Sequence, residues 1–394
     1  MFPPDWYRQL TLIFRIPLLM KKFLALVLAT GIGLSVAAQK APVTTGVGVI
    51  NPGSLGASPK PAAFVPGDSV LFFDNFETEK TETSPNRWRY TFPAVIVNHG
   101  GQKWIRLKNQ GEYQPKLKAP RSGRYTYEFD MLLDGAPGEF SHLGTIIMTL
   151  GEKAEMEAHS ESALEESFDY ARVINEVMLS EPSNLYLENA NASASGHATD
   201  EVLAKKFGQK VHVAIAVDGN RFTLWFDDTK IVDVPKLIYS DKFELFKIAF
   251  DAFNEKAPNH KILVSNFRYA VGPFNLTERL TKAGGYSTSA FRFVPGTAKL
   301  TPESAGAVQA LARVLTENKD LKIKITGHLD PSDVTNPMQL SKQQAEAVRT
   351  LLVTEHGIAP ARIETEGKGN MEPAHKGKNA EAKANNRRLQ ITKI

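Results

Sequence analysis

Two acidic residues, Glu128 and Asp130, stand two positions apart in a segment that alternates like a β-strand. Retaining glycoside hydrolysis uses two carboxylates about 5 Å apart on one face of a cleft. Because successive strand residues point to opposite faces, these acids share a face with position 132, where a second glutamate would complete such a pattern. Positions 132 and 133 are both leucine. We therefore interpret Glu128 and Asp130 as an exposed polar strand face and predict no catalytic residue.

Other side chains that could bind a ligand are scattered. The histidines lack the short fixed spacings of a metal site. The adjacent acids Asp227 and Asp228 could contribute to a calcium site, but such a pair is more typical of a turn between strands. An exposed tryptophan could stack on a sugar, whereas the large area that an indole buries favours core packing. The residues concerned are His99, His142, His159, His197, His212, Trp88, Trp104 and Trp225. We predict no metal and no cofactor.

Three short polar motifs follow one another near the C-terminus. They are Gly327-His328-Leu329-Asp330, then Leu340-Ser341 with Gln344 three positions later, then Asn386-Arg387-Arg388. Their order and spacing resemble the OmpA-like peptidoglycan-binding module, whose signature reads G-H-T-D, L-S-x-x-R-A and N-R-R. Phe293, Pro295, Ala298 and Leu300 also fit the opening pattern of that family. The resemblance covers about residues 287–394 and implies association with peptidoglycan.

The resemblance also assigns roles to single residues. In that family, the aspartate of G-H-T-D accepts the ammonium of diaminopimelate in the wall peptide, and the arginine of L-S-x-x-R clamps its carboxylate. The first role falls on Asp330 and the second on Gln344, which has neither the charge nor the fork of a guanidinium. Loss of such a charge-assisted contact costs about 1.5–3 kcal/mol. Binding is therefore expected to be weak, altered or lost.

The arginine pair offers a replacement for the missing clamp. In the family, the first arginine of N-R-R faces the ligand side, and Arg387 could hold a carboxylate there. The alternative is an internal ion pair between Asp330 and Arg387 in a module retained for its fold. The predicted peptidoglycan-binding residues are Gly327, His328, Asp330, Gln344, Asn386, Arg387 and Arg388.

Periodicity predicts the elements that position these motifs. Pro302 opens a helix with apolar positions Val308, Leu311, Ala312 and Leu315 at helical spacing. A second helix runs from about 340 to 356. Strands are predicted at 291–293, 321–325, 362–365 and 389–394. This β-α-β-α-β-β order predicts an α/β sandwich with helices packed on a mixed sheet.

The preceding region has the short apolar or alternating runs of an all-β domain. The candidate strands are 70–73, 94–97, 104–107, 125–133, 143–150, 211–217, 222–226, 243–250 and 262–271. Their rhythm resembles the concanavalin-like or laminin-G-like jelly-roll sandwich. We assign this domain to residues 68–274 and an interdomain linker to 275–286. A transmembrane barrel fits less well, because several runs are apolar on both faces or broken by charge.

The N-terminus has the layout of a secretory signal peptide. Lys21 and Lys22 precede an apolar run from Phe23 to Leu34, and small residues follow to Ala38. We assign residues 1–38 to the signal peptide region, in which Met20 fits the start of a signal peptide better than Met1, and we expect 39–67 to be a flexible leader. The 394-residue chain contains no cysteine, which excludes disulfides and thiolate metal sites. Its net charge of +4 includes no basic block, so a nucleic-acid partner is not expected.

These observations predict a non-catalytic cell-envelope protein of a Gram-negative bacterium, located in the periplasm or outer membrane. It would associate with peptidoglycan through residues 287–394 and present a β-sandwich to a glycan or protein ligand. Two alternatives remain open, an envelope glycoside hydrolase acting through the sandwich and a porin-like outer-membrane β-barrel.

Overall fold

The computed structural model describes residues 63–117, 123–134, 142–152, 170–178, 182–191, 195–241, 243–252, 261–272, 275–333 and 336–394. The predicted signal peptide, most of the predicted leader and His159 lie outside these residues. The described residues belong to one compact unit. No helix among them has the length and apolar character needed to span a membrane.

Fifteen strands and one short helix are described between residues 69 and 271. They are β1 Ser69–Asp74, β2 Trp88–Tyr90, β3 Val95–His99, β4 Gln102–Leu107, β5 Gly111–Pro115, β6 Arg124–Asp134, β7 His142–Glu152, β8 Tyr170–Met178, β9 Ser183–Asn189, β10 Ser195–Asp200, α1 Val202–Lys205, β11 Lys210–Asp218, β12 Arg221–Phe226, β13 Thr229–Val234, β14 Phe243–Ala252 and β15 Lys261–Val271. Every predicted strand in this region corresponds to one of these.

These strands form two large antiparallel sheets. Sheet 1 has the order β13-β12-β11-β6-β15-β4-β3, and β1 also pairs with β15. Sheet 2 has the order β10-β9-β8-β7-β14-β5-β2. We refer to both together as the two-sheet region.

The alternation of β6 shows how the two-sheet region builds its core. Tyr125, Tyr127, Phe129, Met131 and Leu133 enter a large apolar cluster that also contains Phe246 of β14 and Ile146 of β7 in sheet 2. Tyr127 stacks on Phe246 with ring centroids 5.0 Å apart. The residues between them lie on the other face of sheet 1. Trp88, Trp104 and Trp225 are buried, in agreement with core packing.

The remaining elements form the C-terminal module, residues 276–394. They are α2 Leu276–Thr281, β16 Gly285–Thr288, α3 Ala305–Glu317, β17 Ile323–His328, α4 Pro337–Thr354, β18 Ile363–Gly369, α5 Ala380–Asn386 and β19 Arg388–Lys393, with 3-10 turns at Pro302–Ser304 and Pro360–Arg362. Sheet 3 has the order β16-β19-β17-β18, in which β17 and β18 are parallel.

The C-terminal module differs from the predicted order in three places. Phe293 forms only an isolated bridge with Leu300, and β16 supplies the strand of sheet 3 instead. The segment expected to be a linker contains α2 and the start of β16. Helix α5 separates β18 from β19 and was not predicted. The predicted apolar face of α3 is confirmed, because Val308, Leu311, Ala312 and Leu315 are all buried.

Candidate functional site

Asp330 follows the C-terminal end of β17. The preceding residue, Leu329, donates its backbone N–H to the carbonyl oxygen of Gly369, which extends the pairing with β18 by one step. Asp330 is only 5% exposed. Asp330 therefore lies at the edge of sheet 3 where the parallel strands β17 and β18 both end.

Three hydrogen bonds reach the carboxylate of Asp330. The backbone N–H and the hydroxyl of Ser332 donate to Oδ1 at 3.0 and 2.6 Å. Nδ2 of Asn386 donates to Oδ2 at 2.8 Å. Burial by itself raises the pKa of Asp330, but the hydrogen bonds from Ser332 and Asn386 outweigh it and the pKa lies below its ordinary value. Asp330 is thus an ionised, ordered acceptor at neutral pH.

Asn386 is held on both sides of its amide. Nδ2 also donates to the carbonyl oxygen of His375 at 2.9 Å, and Oδ1 accepts from the backbone N–H of His375 at 2.9 Å. The side chain is 1% exposed. These contacts fix the Asn386 side chain, and its bond to Asp330 joins the first and third sequence motifs.

Arg387 has Asp333 as its ion-pair partner. Its Nε atom lies 2.9 and 3.0 Å from the two carboxylate oxygens of Asp333, and half of its side chain is exposed. The sequence suggested an internal ion pair between Arg387 and Asp330, whereas in the structure Arg387 pairs with Asp333. Asp333 also accepts from the backbone N–H of Asp330 at 3.0 Å, so it links the arginine to the turn that carries Asp330.

Gln344 is buried and engaged elsewhere. It lies on α4, is 6% exposed, and donates from Nε2 to the carbonyl oxygen of Thr297 at 2.9 Å. The position that the resemblance assigns to the carboxylate clamp therefore holds an uncharged amide with a backbone partner.

Gly327 allows the close approach of β17 to α4. A Cβ atom at this position would lie 2.1 Å from the carbonyl oxygen of Ser341, a distance that no side chain tolerates. His328 is 1% exposed. Burial, followed by the nearby Arg388 cation, lowers the pKa of His328 to about 4, so its ring is neutral at pH 7. Arg388 donates to the carbonyl oxygens of Glu372 and Asn386. These three residues build the frame of the site.

Sequence reasoning missed two residues that organise this site, Ser332 and Asp333. Both lie in the turn Asp330-Pro331-Ser332-Asp333, where the backbone N–H of Asp333 donates to the carbonyl oxygen of Asp330 at 3.1 Å. Aspartate and serine around a proline are typical turn formers, and that pattern was the available signal.

Glu128 and Asp130 are buried, so their interpretation as an exposed polar face is wrong. They lie on the face of sheet 1 opposite the core and are 0% and 3% exposed. Arg292 of the C-terminal module donates to both oxygens of Glu128 at 2.6 and 2.5 Å. This guanidinium covers Glu128 because the C-terminal module packs on that face, a contact 164 residues apart in sequence.

His212 belongs to the same buried ionic network, in which Arg268 also contacts Glu128 and Lys210 contacts Asp130. Its Nε2 and Nδ1 atoms lie 3.2 and 3.1 Å from Glu128 and Asp130. Burial lowers the pKa of His212, but the hydrogen bonds to Asp130 and Glu128 prevail and raise it to about 9. Asp130, His212 and Glu303 offer ligand atoms within 4.8 Å of one another. Both ring nitrogens of His212 are engaged by carboxylate oxygens of Glu128 and Asp130, so we interpret the network as a structural contact.

Comparison with known proteins identifies the C-terminal module. Residues 292–387 match the OmpA family. The chain is 35% identical over 101 residues to a protein named Probable lipoprotein YiaD from Escherichia coli (strain K12). This match covers 25% of this chain and 46% of that protein. It is 48% identical over 54 residues to Outer membrane protein A from Bordetella avium, covering 14% of this chain and 27% of that protein.

The chain is also similar in part to a solved structure. The peptidoglycan-associated lipoprotein from Burkholderia pseudomallei is 24% identical, with a TM-score of 0.25, and the match covers 27% of this chain and 89% of that one. The chain spans less than half the length of the two curated relatives. The resemblance found in the motifs is confirmed by the family match: residues 292–387 form an OmpA family domain.

Proposed function

We propose that this chain is a non-catalytic envelope protein of a Gram-negative bacterium that binds the peptide stem of peptidoglycan through its C-terminal module. The single observation that carries this proposal is Asp330, a buried carboxylate kept ionised by Ser332 and Asn386 at the end of β17. Such a group is prepared to accept an ammonium ion without first losing a proton or reorganising. The ammonium of diaminopimelate is the ligand group that the OmpA family assigns to this position.

Arg387 is the proposed holder of the ligand carboxylate. It is the half-exposed guanidinium beside the turn that carries Asp330, whereas Gln344 is buried against Thr297. A guanidinium has five N–H donors, so it can bind a carboxylate and keep part of its contact with Asp333. Competition with Asp333 weakens that binding, and we expect a lower affinity than an unpaired arginine would give.

The two-sheet region is proposed to be a concanavalin-like or laminin-G-like sandwich that presents a further face to a glycan or protein. Its alternating strands, two stacked sheets and shared aromatic core support this proposal. We propose the divisions given by the sequence, 68–274 for the sandwich and 287–394 for the wall-binding domain; α2 and the start of β16 lie between these ranges and pack with the second. Export by the signal peptide would place both in the periplasm or at the outer membrane.

Sedimentation with purified sacculi tests the proposal. The exported chain should sediment with sacculi, and Asp330→Ala should remain in the supernatant. Asp320→Ala provides the matched control, because Asp320 is an exposed aspartate of the same module. Equal sedimentation of the wild type and Asp330→Ala, both folded by circular dichroism, would contradict binding through this site.

A further inference from the structure

Two adjacent asparagines on α5 face opposite parts of the molecule. Asn386 is bonded to Asp330 in the candidate site. Asn385 is bonded to the two-sheet region: its Oδ1 accepts from the backbone N–H of Val70 at 2.9 Å, and its Nδ2 donates to the carbonyl oxygen of Val70 at 2.8 Å. The same turn of helix therefore touches both the site and strand β1.

Asn385 acts toward β1 as a neighbouring strand would. β1 pairs with β15 along one edge, and β15 is its only strand partner among the described residues. The other edge carries the N–H and C=O of Val70, which need partners when they are buried. An asparagine amide has one donor group and one acceptor, so a single side chain satisfies both. Asn385 is 8% exposed.

Glu381 makes a second attachment one turn earlier on α5. Its Oε1 accepts from the backbone N–H of Phe73 at 3.0 Å and forms an ion pair with Arg87. Arg87 in turn donates to the carbonyl oxygen of Phe73 at 2.8 Å, and its guanidinium lies 4.2 Å from the ring centroid of Phe72. Helix α5 is thus bound to β1 at two points along its length.

Helix α5 has little else to hold it. It has seven residues, and its buried residues are Ala382, Asn385 and Asn386. An isolated helix shorter than about 12 residues is marginal in water, and most helical stability in proteins comes from apolar packing. With one buried apolar residue, α5 depends on its polar contacts, and those of Asn385 and Glu381 to β1 and Arg87 reach outside the C-terminal module.

We propose that Asn385 and Glu381 are positioning residues of the wall-binding site, through which strand β1 of the two-sheet region fixes Asn386 against Asp330. The inference rests on the proposed function. It adds that the two-sheet region is a structural component of the wall-binding site. Binding of the peptide stem is therefore coupled to the attachment of β1 to α5.

Two variants and one control test this coupling in the exported chain. Asn385→Ala removes both bonds to Val70, and Glu381→Gln keeps an acceptor for Phe73 while removing the ion pair with Arg87. The control is Asn318→Ala, which removes a side-chain bond to the carbonyl oxygen of Val314 at the end of α3, on a different helix of the same module. Each protein is measured for thermal midpoint, for hydrogen exchange of the α5 amides, and for affinity to a soluble stem tripeptide containing diaminopimelate.

We expect Asn385→Ala to bind the tripeptide about tenfold more weakly and Glu381→Gln about threefold more weakly. Exchange in α5 should be faster in both. Asn318→Ala should lose thermal stability without losing affinity or α5 protection. This contrast separates positioning from general destabilisation.

Unchanged affinity in Asn385→Ala would overturn the proposal whether or not exchange in α5 is faster, and so would an equal loss of affinity in Asn318→Ala. If Asn385→Ala does not fold, Glu381→Gln decides by the same criteria. Absence of binding by the wild type would contradict the proposed function instead. In that case α5 protection still reports whether β1 orders the helix, so the two failures are distinguishable.

Discussion

Nδ2 of Asn386 donates to Oδ2 of Asp330 across 2.8 Å, which joins two motifs that lie 56 residues apart in the sequence. This bond leaves the charge of Asp330 in place while fixing its direction. Replacing Asp330 by Asn should therefore lower affinity for the stem tripeptide by about 10- to 100-fold, because the ammonium loses a charged acceptor. Isothermal titration calorimetry with Asp320→Asn as control measures the effect. An Asp330→Asn variant that binds as tightly as the wild type would rule out the ammonium contact.

The pairing of Arg387 with Asp333 predicts a gain of binding. Asp333→Asn keeps an acceptor for the backbone N–H of Asp330 but removes the negative charge that competes for Arg387. We expect affinity for the tripeptide to rise about threefold to tenfold. Arg387→Ala should lower it by at least about tenfold. The exposed arginine of α3, Arg313, supplies the control Arg313→Ala. A loss of affinity in Asp333→Asn would show that Asp333 itself helps to hold the ligand.

The hydrogen bond from Gln344 to Thr297 predicts that Gln344 has a structural role and does not contact the ligand. Gln344→Ala should lower the free energy of unfolding by about 1 kcal/mol, because it removes one buried hydrogen bond, and should leave affinity unchanged. Gln344→Arg should raise affinity about tenfold, because a guanidinium adds the charge and fork that the amide lacks. Urea unfolding and titration calorimetry check both parts. A large drop in affinity for Gln344→Ala would show that the glutamine contacts the ligand.

His212 predicts how stability depends on pH. Its folded pKa is about 9, above the ordinary value of 6.5, so between these values the folded protein holds a proton that the unfolded chain releases. The stabilisation is complete below pH 6.5 and is lost as pH rises through 9. The free energy of unfolding should fall by up to about 3 kcal/mol over this window.

The variant His212→Gln tests this dependence, because glutamine can hydrogen bond but does not titrate. At pH 6 the urea midpoint of His212→Gln should be lower than that of the wild type. Between pH 6 and pH 9 its midpoint should change less with pH than that of the wild type. His197→Gln, at an exposed histidine of β10, should follow the wild type. Parallel curves for the wild type and His212→Gln would contradict a charged His212 between Glu128 and Asp130.

Apolar patterning predicted the parts of the fold that are held by apolar packing. Helix α3 buries the residues that its periodicity marked. Strand β10 was missed because it is an edge strand of sheet 2, in which Ser195, His197 and Thr199 are polar and exposed. Helix α5 was missed because its position depends on Asn385 and Glu381, and polar contacts leave no apolar period.

The site was predictable to the extent that the motifs carry it. The motifs led to Asp330 and Asn386, and the structure brings them together. The partners of Arg387 and Gln344 were not predictable. Turn geometry brings Asp333 to Arg387, and helix packing brings Thr297 to Gln344. Glu128 was misplaced for a similar reason: a strand pattern shows which residues share a face but not that Arg292 of another module covers it.

The most direct test of the central claim compares two stem tripeptides in calorimetric titrations, one with diaminopimelate and one with lysine at the third position. The two differ by the side-chain carboxylate, and both carry the ammonium. We predict that the wild type prefers the diaminopimelate peptide about tenfold, that Arg387→Ala loses this preference, and that Asp330→Ala loses binding to both. Equal affinity of the wild type for the two peptides, or an unchanged preference in Arg387→Ala, would contradict the assignment of Asp330 and Arg387 as the ammonium and carboxylate contacts.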